Sequence, residues 1–536
     1  MKLIASAAYL DGEFVSEIGL IPPSFLPIGN KRLYEYQVEM LRKSQSNNSK
    51  VFLSIPNSFQ LDQYDESLLE KLNVCIIRVP TGISLGQSIL YCWNTHGLDS
   101  PSLSILLGDS LFFNASLNTL DVVSAHQNHG FYKRAKFKNE TAQISQLQTE
   151  WASNKEKVIS GWFSFSQPFL LMKSILESDN DFISAIRMYD QHRPLLINRV
   201  GEWYDFGHIN SFFQSRTRIT TQRAFNSLSI EKHRVTKSSA DNDTKIAAEL
   251  AWFNSVPRSI KIFLPSLLNS EQNGKFCSYA TEYLYLLPLC DLYVFGNLEN
   301  EQWFSISNSL LDLLQNFATH QPEKNVERFC TRADDLYKKK TQARLNNFAT
   351  ESNWDISKKS LFSRNEGFIS LTDIAKRCFT LIAPTEKRDI CLIHGDPCFS
   401  NLLYDTRTEL IKCIDPRGID SHGEQTVFGD MRYDLAKLYH SIFGLYDFII
   451  AGRFEVLEID GRINGIKIYH DEGLTSSLSE RFLALVNKHF GYSEKEILAI
   501  TITLFISMLP LHQDSPNRQK AFIANALRLY DALLES

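Results

Sequence analysis

The 536-residue sequence has little excess of charge of either sign. Its 56 basic and 61 acidic residues give a formal net charge of −5. Because no strongly basic field covers the protein as a whole, neither nucleic-acid binding nor electrostatic attachment to an anionic membrane is expected. Two local basic runs, residues 133–138 and 338–340, are interpreted as solvated faces.

The sequence also lacks paired cysteines and long apolar runs. Its nine cysteines are odd in number and contain no CxxC pair, which disfavours a disulfide framework or a zinc site and predicts a reducing, cytoplasmic setting. Residues 497–511 are too short to span a bilayer and contain threonines and a proline, so they predict a core helix. Residues 1–8 are followed by Asp11 and Glu13, and predict a buried first strand rather than a signal peptide.

The chain contains no internal repeat, and its length predicts about three domains. Residues 1–217 alternate strands with helical segments, which predicts an α/β domain with a mostly parallel sheet. Residues 218–295 are predicted to form a small mixed lobe, and helical patterns dominate residues 296–536. The predicted elements are strands at 3–8, 51–55, 74–79, 104–107, 227–230, 233–237 and 282–287, and helices at 31–43, 85–93, 243–253, 306–317 and 478–490.

Chemistry-bearing residues are concentrated between residues 390 and 434. A short apolar strand is followed by His394, Gly395 and Asp396, with Asn401 five positions further on. A second strand is followed by Asp415. In phosphoryl transfer, a carboxylate positions the attacking hydroxyl and accepts its proton, while an amide oxygen and a second carboxylate hold the divalent metal. Asp396 is therefore the candidate base, and Asn401 and Asp415 are the candidate metal ligands.

This block resembles the aminoglycoside phosphotransferase and choline kinase family, which has a protein-kinase-like, two-lobed α+β fold. Residues 394–401 match its HGDxxxxN loop, residues 414–418 resemble its metal-binding IDxxx motif, and residues 430–436 resemble its DxxxDLA run. The resemblance extends over about residues 219–536. It implies ATP and Mg²⁺ as cofactors and gives His394 and Asp434 supporting roles.

A fold of this kind implies an ion pair in the small lobe that orients the ATP phosphates. Lys237 on a predicted strand and Glu249 on the next helix are the candidates, with Lys245 and Glu231 as alternatives. The lobe has no protein-kinase Gly-rich loop, so residues 225–229 are expected to cover the phosphates. Residues 280–289 are expected to form the hinge strand beside adenine.

Residues 1–217 resemble the sugar-1-phosphate nucleotidyltransferase family, which implies a GT-A-type α/β fold. The similar stretches are residues 3–8, 21–33, 106–109 and 202–207. The resemblance implies that Asp109 and Asp205 hold Mg²⁺ across the reacting phosphates. Gly82 and Gly86 lie where the family contacts the base, and glycine permits close backbone approach there.

The first region departs from that family in two places. Residues 9–15 replace a GxGTRL loop and contain no arginine, and Pro23 or Ser24 replaces a lysine. Two cations that would offset triphosphate charge are thus missing, for which Lys31 or Arg32 are candidate substitutes.

Together the two resemblances imply a bifunctional enzyme. The second region would phosphorylate a small hydroxyl compound, a sugar or amino alcohol, and the first would join the product to a nucleotide from CTP or another nucleoside triphosphate, for capsular or other surface polysaccharide synthesis. The alternative is an active kinase with a degenerate binding or regulatory domain. A non-enzymatic assembly protein is disfavoured by the intact HGDPCFSN stretch. The expected partners are small molecules, without nucleic acid or stable membrane insertion, and the oligomeric state stays open.

Overall fold

The computed structural model describes residues 1–10, 12–43, 50–138, 143–219, 227–231, 233–239, 244–273 and 276–536. The chain divides into two compact units. Unit 1 comprises Met1–Thr221 with Phe295–Asn297, and unit 2 comprises Gln222–Val294 with Leu298–Ser536.

Unit 1 is an α/β domain. Its strands are β1 Lys2–Ala5, β2 Pro27–Ile28, β3 Lys31–Arg32, β4 Val51–Pro56, β5 Val74–Val79, β6 Leu103–Leu107, β7 Ser110–Phe113, β8 Val122–Gln127, β9 Tyr132–Phe137, β10 Leu147–Ala152, β11 Lys157–Phe165, β12 Leu196–Asn198 and β13 Glu202–Asp205. Its helices are α1 Glu13–Ile18, α2 Leu33–Lys43, α3 Gln63–Lys71, α4 Leu85–His96, α5 Pro168–Glu177, α6 Phe182–His192 and α7 Ile209–Ile219.

Within the described residues, nine strands of unit 1 form one mixed sheet. Strand β1 lies parallel to both β4 and β6, and β4 lies parallel to β5. The near-continuous apolar composition of these strands is typical of strands that are covered on both faces. Strand β11 pairs antiparallel with β6, β8 and β9. Strand β10 then joins β9 antiparallel, and β12 joins β8 parallel. Because the parallel strands end at one edge, the loop after β6 lies at the edge where such sheets usually bind ligands.

Unit 2 begins with a small β-rich lobe and continues into a helical lobe. Its strands are β14 Ser227–Glu231, β15 Arg234–Ser239, β16 Leu267–Asn273, β17 Phe276–Glu282, β18 Leu287–Pro288, β19 Leu361–Ser363, β20 Gly367–Ile369, β21 Ile390–Leu392, β22 Leu402–Asp405, β23 Leu410–Cys413, β24 Phe428–Asp430, β25 Phe454–Ile459 and β26 Arg462–Ile468. Its helices are α8 Thr244–Ser255, α9 Leu289–Phe295, α10 Asn300–Ala318, α11 Val326–Tyr337, α12 Lys339–Ser352, α13 Leu371–Leu381, α14 Met431–Ile442, α15 Tyr446–Ile450, α16 Glu472–Phe490, α17 Glu494–Met508 and α18 Pro516–Glu535.

The small lobe is a four-stranded antiparallel sheet in the order β14-β15-β17-β16, with α8 packed beside it. In the helical lobe, α14 and α18 pack against α17, whose residues from Ile497 to Met508 are all buried. The stretch Glu494–His512 is long and apolar enough to cross a membrane, but it is largely covered by the rest of the protein, as is typical of a core helix. The predicted fold class, an α/β unit followed by a two-lobed α+β unit, is confirmed.

One predicted strand is wrong. Residues 283–287 are all tyrosine or leucine, a composition that favours a strand, but β17 ends at Glu282 and β18 begins at Leu287. Backbone pairing ends soon after β16 begins at Leu267, opposite Thr281: the N–H groups of Glu282 and Tyr283 still donate to the carbonyls of Ser266 and His233, each at 3.0 Å. The expected hinge strand at 280–289 is therefore not one continuous strand, because residues 283–286 connect the end of β17 to β18.

Candidate active site

The loop that carries Asp396 is fixed at both ends by buried groups. The indole nitrogen of Trp252 donates a hydrogen bond to the Ile393 carbonyl at 2.9 Å. The His394 ring nitrogen Nε2 lies 3.0 Å from the Ile414 carbonyl, so the imidazole joins this loop to the strand that precedes Asp415. Burial lowers the pKa of His394, which favours a neutral ring with one N–H for that carbonyl. His394 thus has the contacts of a supporting residue.

Asp434 also fixes the loop that carries Asp396. Its two carboxylate oxygens accept hydrogen bonds from the backbone N–H groups of His394, at 2.7 Å, and Gly395, at 2.9 Å. The side chain is fully buried, and this burial raises the pKa of Asp434 to about 7 despite the two donors. Asp434 lies on α14, so the helix and the loop are joined by hydrogen bonds rather than by apolar contact alone.

Asp396 faces a lysine that was not predicted. The Lys437 ammonium lies 2.8 Å from Asp396 Oδ1. Although burial opposes ionisation, Lys437 holds the pKa of Asp396 below its usual range. Asn401 donates from Nδ2 to the Asp396 carbonyl at 2.9 Å and lies 3.4 Å from Asp396 Oδ2. The candidate base is therefore ionised at neutral pH and held on two sides.

The predicted ion pair of the small lobe is formed. Lys237 Nζ lies 2.9 Å from Glu249 Oε2 and 2.6 Å from Asp415 Oδ1. Tyr279, which lies directly across from Lys237 in the β15–β17 pairing, donates its hydroxyl to Glu249 Oε2 at 2.5 Å. Burial lowers the pKa of Lys237, but Asp415 and Glu249 outweigh it, so the net direction is upward.

The two alternatives to this pair have weaker positions. Lys245 lies 3.9 Å from Glu249 Oε1, and its side chain is 62% exposed. Glu231 pairs with Arg234 at the turn end of the β14–β15 hairpin, away from the middle of β15. Lys237 and Glu249 therefore remain the candidates.

The candidate metal ligands lie next to one another. The backbone N–H of Ile414 donates to the Asn401 carbonyl at 2.9 Å, which places Asp415 beside Asn401. Asp415 has a φ of +60°, a backbone conformation that is uncommon for residues other than glycine and is enriched at functional sites. One carboxylate and one amide oxygen suit Mg²⁺, which usually takes its remaining ligands from water and substrate phosphates. Within the described ranges, no group of three or more His, Cys, Asp or Glu side chains forms a site for a different metal.

Gly418 allows the Asp415 loop to approach the small lobe. Its φ is +65°, and a Cβ at this position would lie 2.2 Å from the Ala248 carbonyl oxygen. Any side chain at position 418 would therefore push the Asp415 loop away from α8. The residue that it would meet, Ala248, directly precedes Glu249 in that helix. The small lobe and the Asp415 loop thus approach each other closely at the backbone within unit 2.

The cover expected over the phosphates lies partly outside the described residues. Of residues 225–229, the structure describes 227–229, which belong to β14.

Unit 1 brings Asp109 and Asp205 together. Asp205 pairs with Ser110 in the β7–β13 ladder, and the Phe206 N–H donates to the Asp109 carbonyl at 2.8 Å. A Cβ on Gly207 would lie 2.4 Å from Asp109 Oδ2 and 3.5 Å from Asp205 Oδ1, so both carboxylates face this glycine. Burial and the nearby charge of Asp205 raise the pKa of Asp109 to about 6.

Arg134 on β9 forms an ion pair with Asp205. Its guanidinium also lies over the rings of Tyr132 and Trp203, at 5.5 Å from each centroid. The two carboxylates provide oxygen donors that suit Mg²⁺, but one of them already has a cationic partner. A metal at this position would have to share Asp205 with Arg134.

The two predicted nucleotide-contacting glycines differ in their surroundings. Gly82 is exposed in the turn after β5, with a φ of +78° and open space around it. Gly86 is buried in α4, and a Cβ there would lie 2.4 Å from the Asn180 carbonyl oxygen. The close approach of the Asn180 backbone therefore gives Gly86 a packing reason of its own, and its contact with a base stays a prediction.

Several basic residues that were expected to face solvent, or to replace a missing phosphate ligand, are instead buried or paired. Arg32 is buried and bonds Asp65, with Nη2 at 3.1 Å from Oδ2, so it is not free to replace the missing phosphate ligand, whereas Lys31 is exposed. In the 133–138 run, Arg134 and Lys136 have only 13% and 16% of their side chains exposed. In the 338–340 run, Lys339 is exposed but Lys340 is half-buried. The interpretation as solvated faces is wrong for these positions, because strand alternation and helix periodicity turn single members inward.

No family model and no curated protein matches the chain. Solved structures of two kinds are similar to it. A protein from Bacillus anthracis described as a glucose-1-phosphate thymidylyltransferase is 12% identical, with a TM-score of 0.33, 41% of this chain and 95% of that chain covered. The aminoglycoside phosphotransferase APH(4)-Ia is 12% identical, with a TM-score of 0.35, 59% of this chain and 92% of that chain covered. An ethanolamine kinase of Plasmodium vivax is 12% identical, with a TM-score of 0.33, 61% of this chain and 87% of that chain covered. At this similarity the functional argument rests on the geometry of the two sites.

Lys437 and Arg134 are the residues of the two sites that were missed. Lys437 lies three positions after Asp434 on α14, so the helical period places both on the face toward the loop. That spacing could have indicated Lys437 from the sequence. The pairing of Arg134 with Asp205 joins residues 71 positions apart, and no local pattern indicates it.

Proposed function

We propose that unit 2 is a kinase that transfers the γ-phosphate of ATP to the hydroxyl group of a small molecule. The observation that carries the proposal is the convergence of Lys237, Asp415 and the Asp396 loop in one place. Lys237 lies 2.6 Å from Asp415 Oδ1, and Asp415 lies beside Asn401, which bonds the backbone of Asp396. Lys237 and three side chains from the distant stretch 396–415 thus provide one cation, two carboxylates and an amide.

Each of these residues would have a distinct task. Asp396 would orient the acceptor hydroxyl and accept its proton as the O–P bond forms. Lys237, held by Glu249, would bind the non-reacting phosphates of ATP. Asn401 and Asp415 would hold Mg²⁺, which when bound neutralises the charge on the phosphates. Because Asp396 is ionised by its contact with Lys437, it can accept a hydrogen bond from the hydroxyl over the whole neutral pH range.

The test is ADP release by the full chain with Mg-ATP and a panel of sugars and amino alcohols. We expect Asp396→Asn to lower turnover by roughly a hundredfold or more, in line with the loss of a general base. Asp405→Asn, which removes a half-buried carboxylate in the neighbouring β22–β23 hairpin, is the matched control and should retain turnover. Equal loss in both variants, or none in Asp396→Asn, would contradict the proposal.

A second candidate function concerns unit 1. The adjacency of Asp109 and Asp205 at a sheet edge favours nucleotidyl transfer to the phosphorylated product, with release of pyrophosphate, as in surface-glycan synthesis. The ion pair between Arg134 and Asp205 favours instead a binding or regulatory module. Incubation with ATP, CTP and the kinase product decides between them. A nucleotide-linked product that disappears in Asp109→Ala, while ADP release persists, supports the bifunctional enzyme. Absence of any such product supports the module.

A further inference from the structure

A group of basic side chains lies beside Asp396 in unit 2. Lys340 and Arg344 are four residues apart on α12, a spacing that places both on one helix face. Both lie within electrostatic reach of Arg417, and Lys340 is also within reach of Lys437. We call Lys340, Arg344, Arg417 and Lys437 the basic cluster.

Arg417 connects the cluster to the catalytic loop. Its backbone N–H donates to the His394 carbonyl at 2.9 Å, and its side chain packs against Gly395, where a Cβ would lie 2.7 Å from the Arg417 Cβ. Its guanidinium lies over the Tyr433 ring, 5.5 Å from the centroid. The Nη2 atom of Arg417 is buried and makes no hydrogen bond to any described residue. Arg417 also lines a pocket formed with the apolar side chains of Phe329, Ile393 and Phe428.

Within the described residues, Lys437 is the one member of the cluster with a carboxylate at ion-pair distance. Asp396 faces Lys437 at 2.8 Å, and Asp420, which lies within reach of Lys340, is 3.9 Å from Arg332. Arg344 donates to the Ser507 carbonyl at 3.2 Å, a neutral partner. Over the described ranges, Lys340, Arg344 and Arg417 have no carboxylate within ion-pair distance. Burial, and after it the nearby charges of Arg417, Arg344 and Lys437, lower the pKa of Lys340 to about 6.

Half-buried like charges that lack counterions are costly unless a ligand neutralises them. Arg417 and Lys437 lie within electrostatic reach of Asp396, whereas the ion pairs of Lys237 are made with Glu249 and Asp415. We propose that the phosphate acceptor is itself an anion, a hydroxyl compound with a carboxylate or phosphate group that Lys340, Arg344 and Arg417 bind. This inference rests on the kinase function proposed above, and it narrows the substrate class from neutral sugars and amino alcohols to acidic ones.

The alternative occupant of the cluster is the transferred phosphate of ATP. If the cluster served ATP, its removal would raise the KM for ATP with every acceptor. If it serves the acceptor, its removal raises only the KM for anionic acceptors. The two possibilities therefore differ in the substrate whose KM changes.

The experiment compares matched acceptors with the full chain, Mg-ATP and the variant Lys340→Gln/Arg344→Gln. The pairs are D-ribose 5-phosphate with D-ribose and D-glucuronate with D-glucose, so that phosphate and carboxylate are tested separately. We expect kcat/KM to be at least about tenfold higher for the anionic member of a pair, and the double variant to reduce it by about tenfold per cation, with the KM for ATP unchanged. Lys488→Gln, which removes an exposed lysine on α16, is the control.

Binding is measured in parallel by calorimetry, with D-ribose 5-phosphate, D-glucuronate and inorganic phosphate as probes. Saturable binding that Lys340→Gln/Arg344→Gln weakens and Lys488→Gln does not supports the inference even if none of the four compounds is phosphorylated. Equal use or binding of neutral and anionic members, or no anion binding in the unmodified chain, overturns it. Failure to bind Mg-ATP, or ADP release that survives Asp396→Asn, would instead overturn the kinase function, and the anion-binding measurement does not depend on either.

Discussion

Lys437 on α14 forms an ion pair with Asp396, 2.8 Å from its Oδ1 atom. The same helix carries Asp434, which accepts two hydrogen bonds from the loop that precedes Asp396. One helix therefore fixes both the backbone and the charge of the candidate base. This relationship makes the ionisation of Asp396 depend on a residue that need not touch ATP.

Replacement of Lys437 by methionine should change the pH dependence of turnover. Lys437 lowers the pKa of Asp396, so its removal raises that pKa and a larger fraction of Asp396 is protonated in mildly acidic solution. We expect the acidic limb of the kcat profile to move to higher pH, with a smaller change near pH 8. Profiles of ADP release for the unmodified chain and Lys437→Met check this, and an unshifted acidic limb would show that Lys437 does not control the base.

Replacement of Lys237 by methionine should weaken the use of ATP. The lysine is the cation that Glu249 and Tyr279 hold in place, and a charged hydrogen bond of this kind contributes about 1.5–3 kcal/mol, or roughly 10- to 100-fold. We expect kcat/KM for ATP to fall by that factor. Lys245→Met removes the exposed lysine on the same helix as Glu249 and should leave ATP use nearly unchanged. If Lys245→Met lowered kcat/KM for ATP more than Lys237→Met does, the phosphate-binding role would belong to Lys245 instead.

Asp434→Asn should alter the pH dependence of stability. Because burial raises the pKa of Asp434 to about 7 in the folded protein, above its ordinary value, the folded state holds this proton more tightly than the unfolded state. The stabilisation is present at low pH and is lost as the pH rises toward and through about 7. We expect the difference between the thermal unfolding midpoints at pH 5 and pH 8 to become smaller in Asp434→Asn.

Asp434→Ala provides the matched comparison. It leaves the N–H groups of His394 and Gly395 without an acceptor, which costs about 1–3 kcal/mol per buried group. Its unfolding midpoint should therefore be lower than that of Asp434→Asn at both pH values, as measured by calorimetry. Equal midpoints in the two variants would mean that the hydrogen bonds to Asp434 contribute little.

Arg134→Gln should increase the affinity of unit 1 for divalent cations. The arginine forms an ion pair with Asp205, so its removal takes this positive charge away from two adjacent carboxylates. We expect tighter Mn²⁺ binding, measured by electron paramagnetic resonance in an Asp415→Asn background that weakens the site in unit 2. Asp205→Asn in the same background is the control and should abolish the gain. Unchanged Mn²⁺ affinity in Arg134→Gln would mean that the pair does not limit metal binding.

The sequence by itself determined the local part of each site. The strand, loop and strand around residues 390–415 are contiguous, so residue type and spacing sufficed to indicate Asp396, Asn401 and Asp415. Lys237 and Glu249 could also be predicted from the sequence, because a strand and the helix that follows it place them near each other. The sequence likewise indicated the α/β pattern of unit 1, since parallel strands and helices leave periodic signals over short windows.

Only the tertiary structure decided which charges have partners. Arg134 meets Asp205 through pairing of distant strands, Arg32 is bound by Asp65, and Lys340 is turned inward although its neighbours Lys338 and Lys339 suggest a solvated run. The structure also shows that the backbone of Asn180 leaves no room for a side chain at Gly86, a constraint that the sequence did not indicate. The physical reason is that a charge or a glycine has the same local signature whether it faces solvent, a ligand or another segment. Its role depends on which segment long-range folding brings against it.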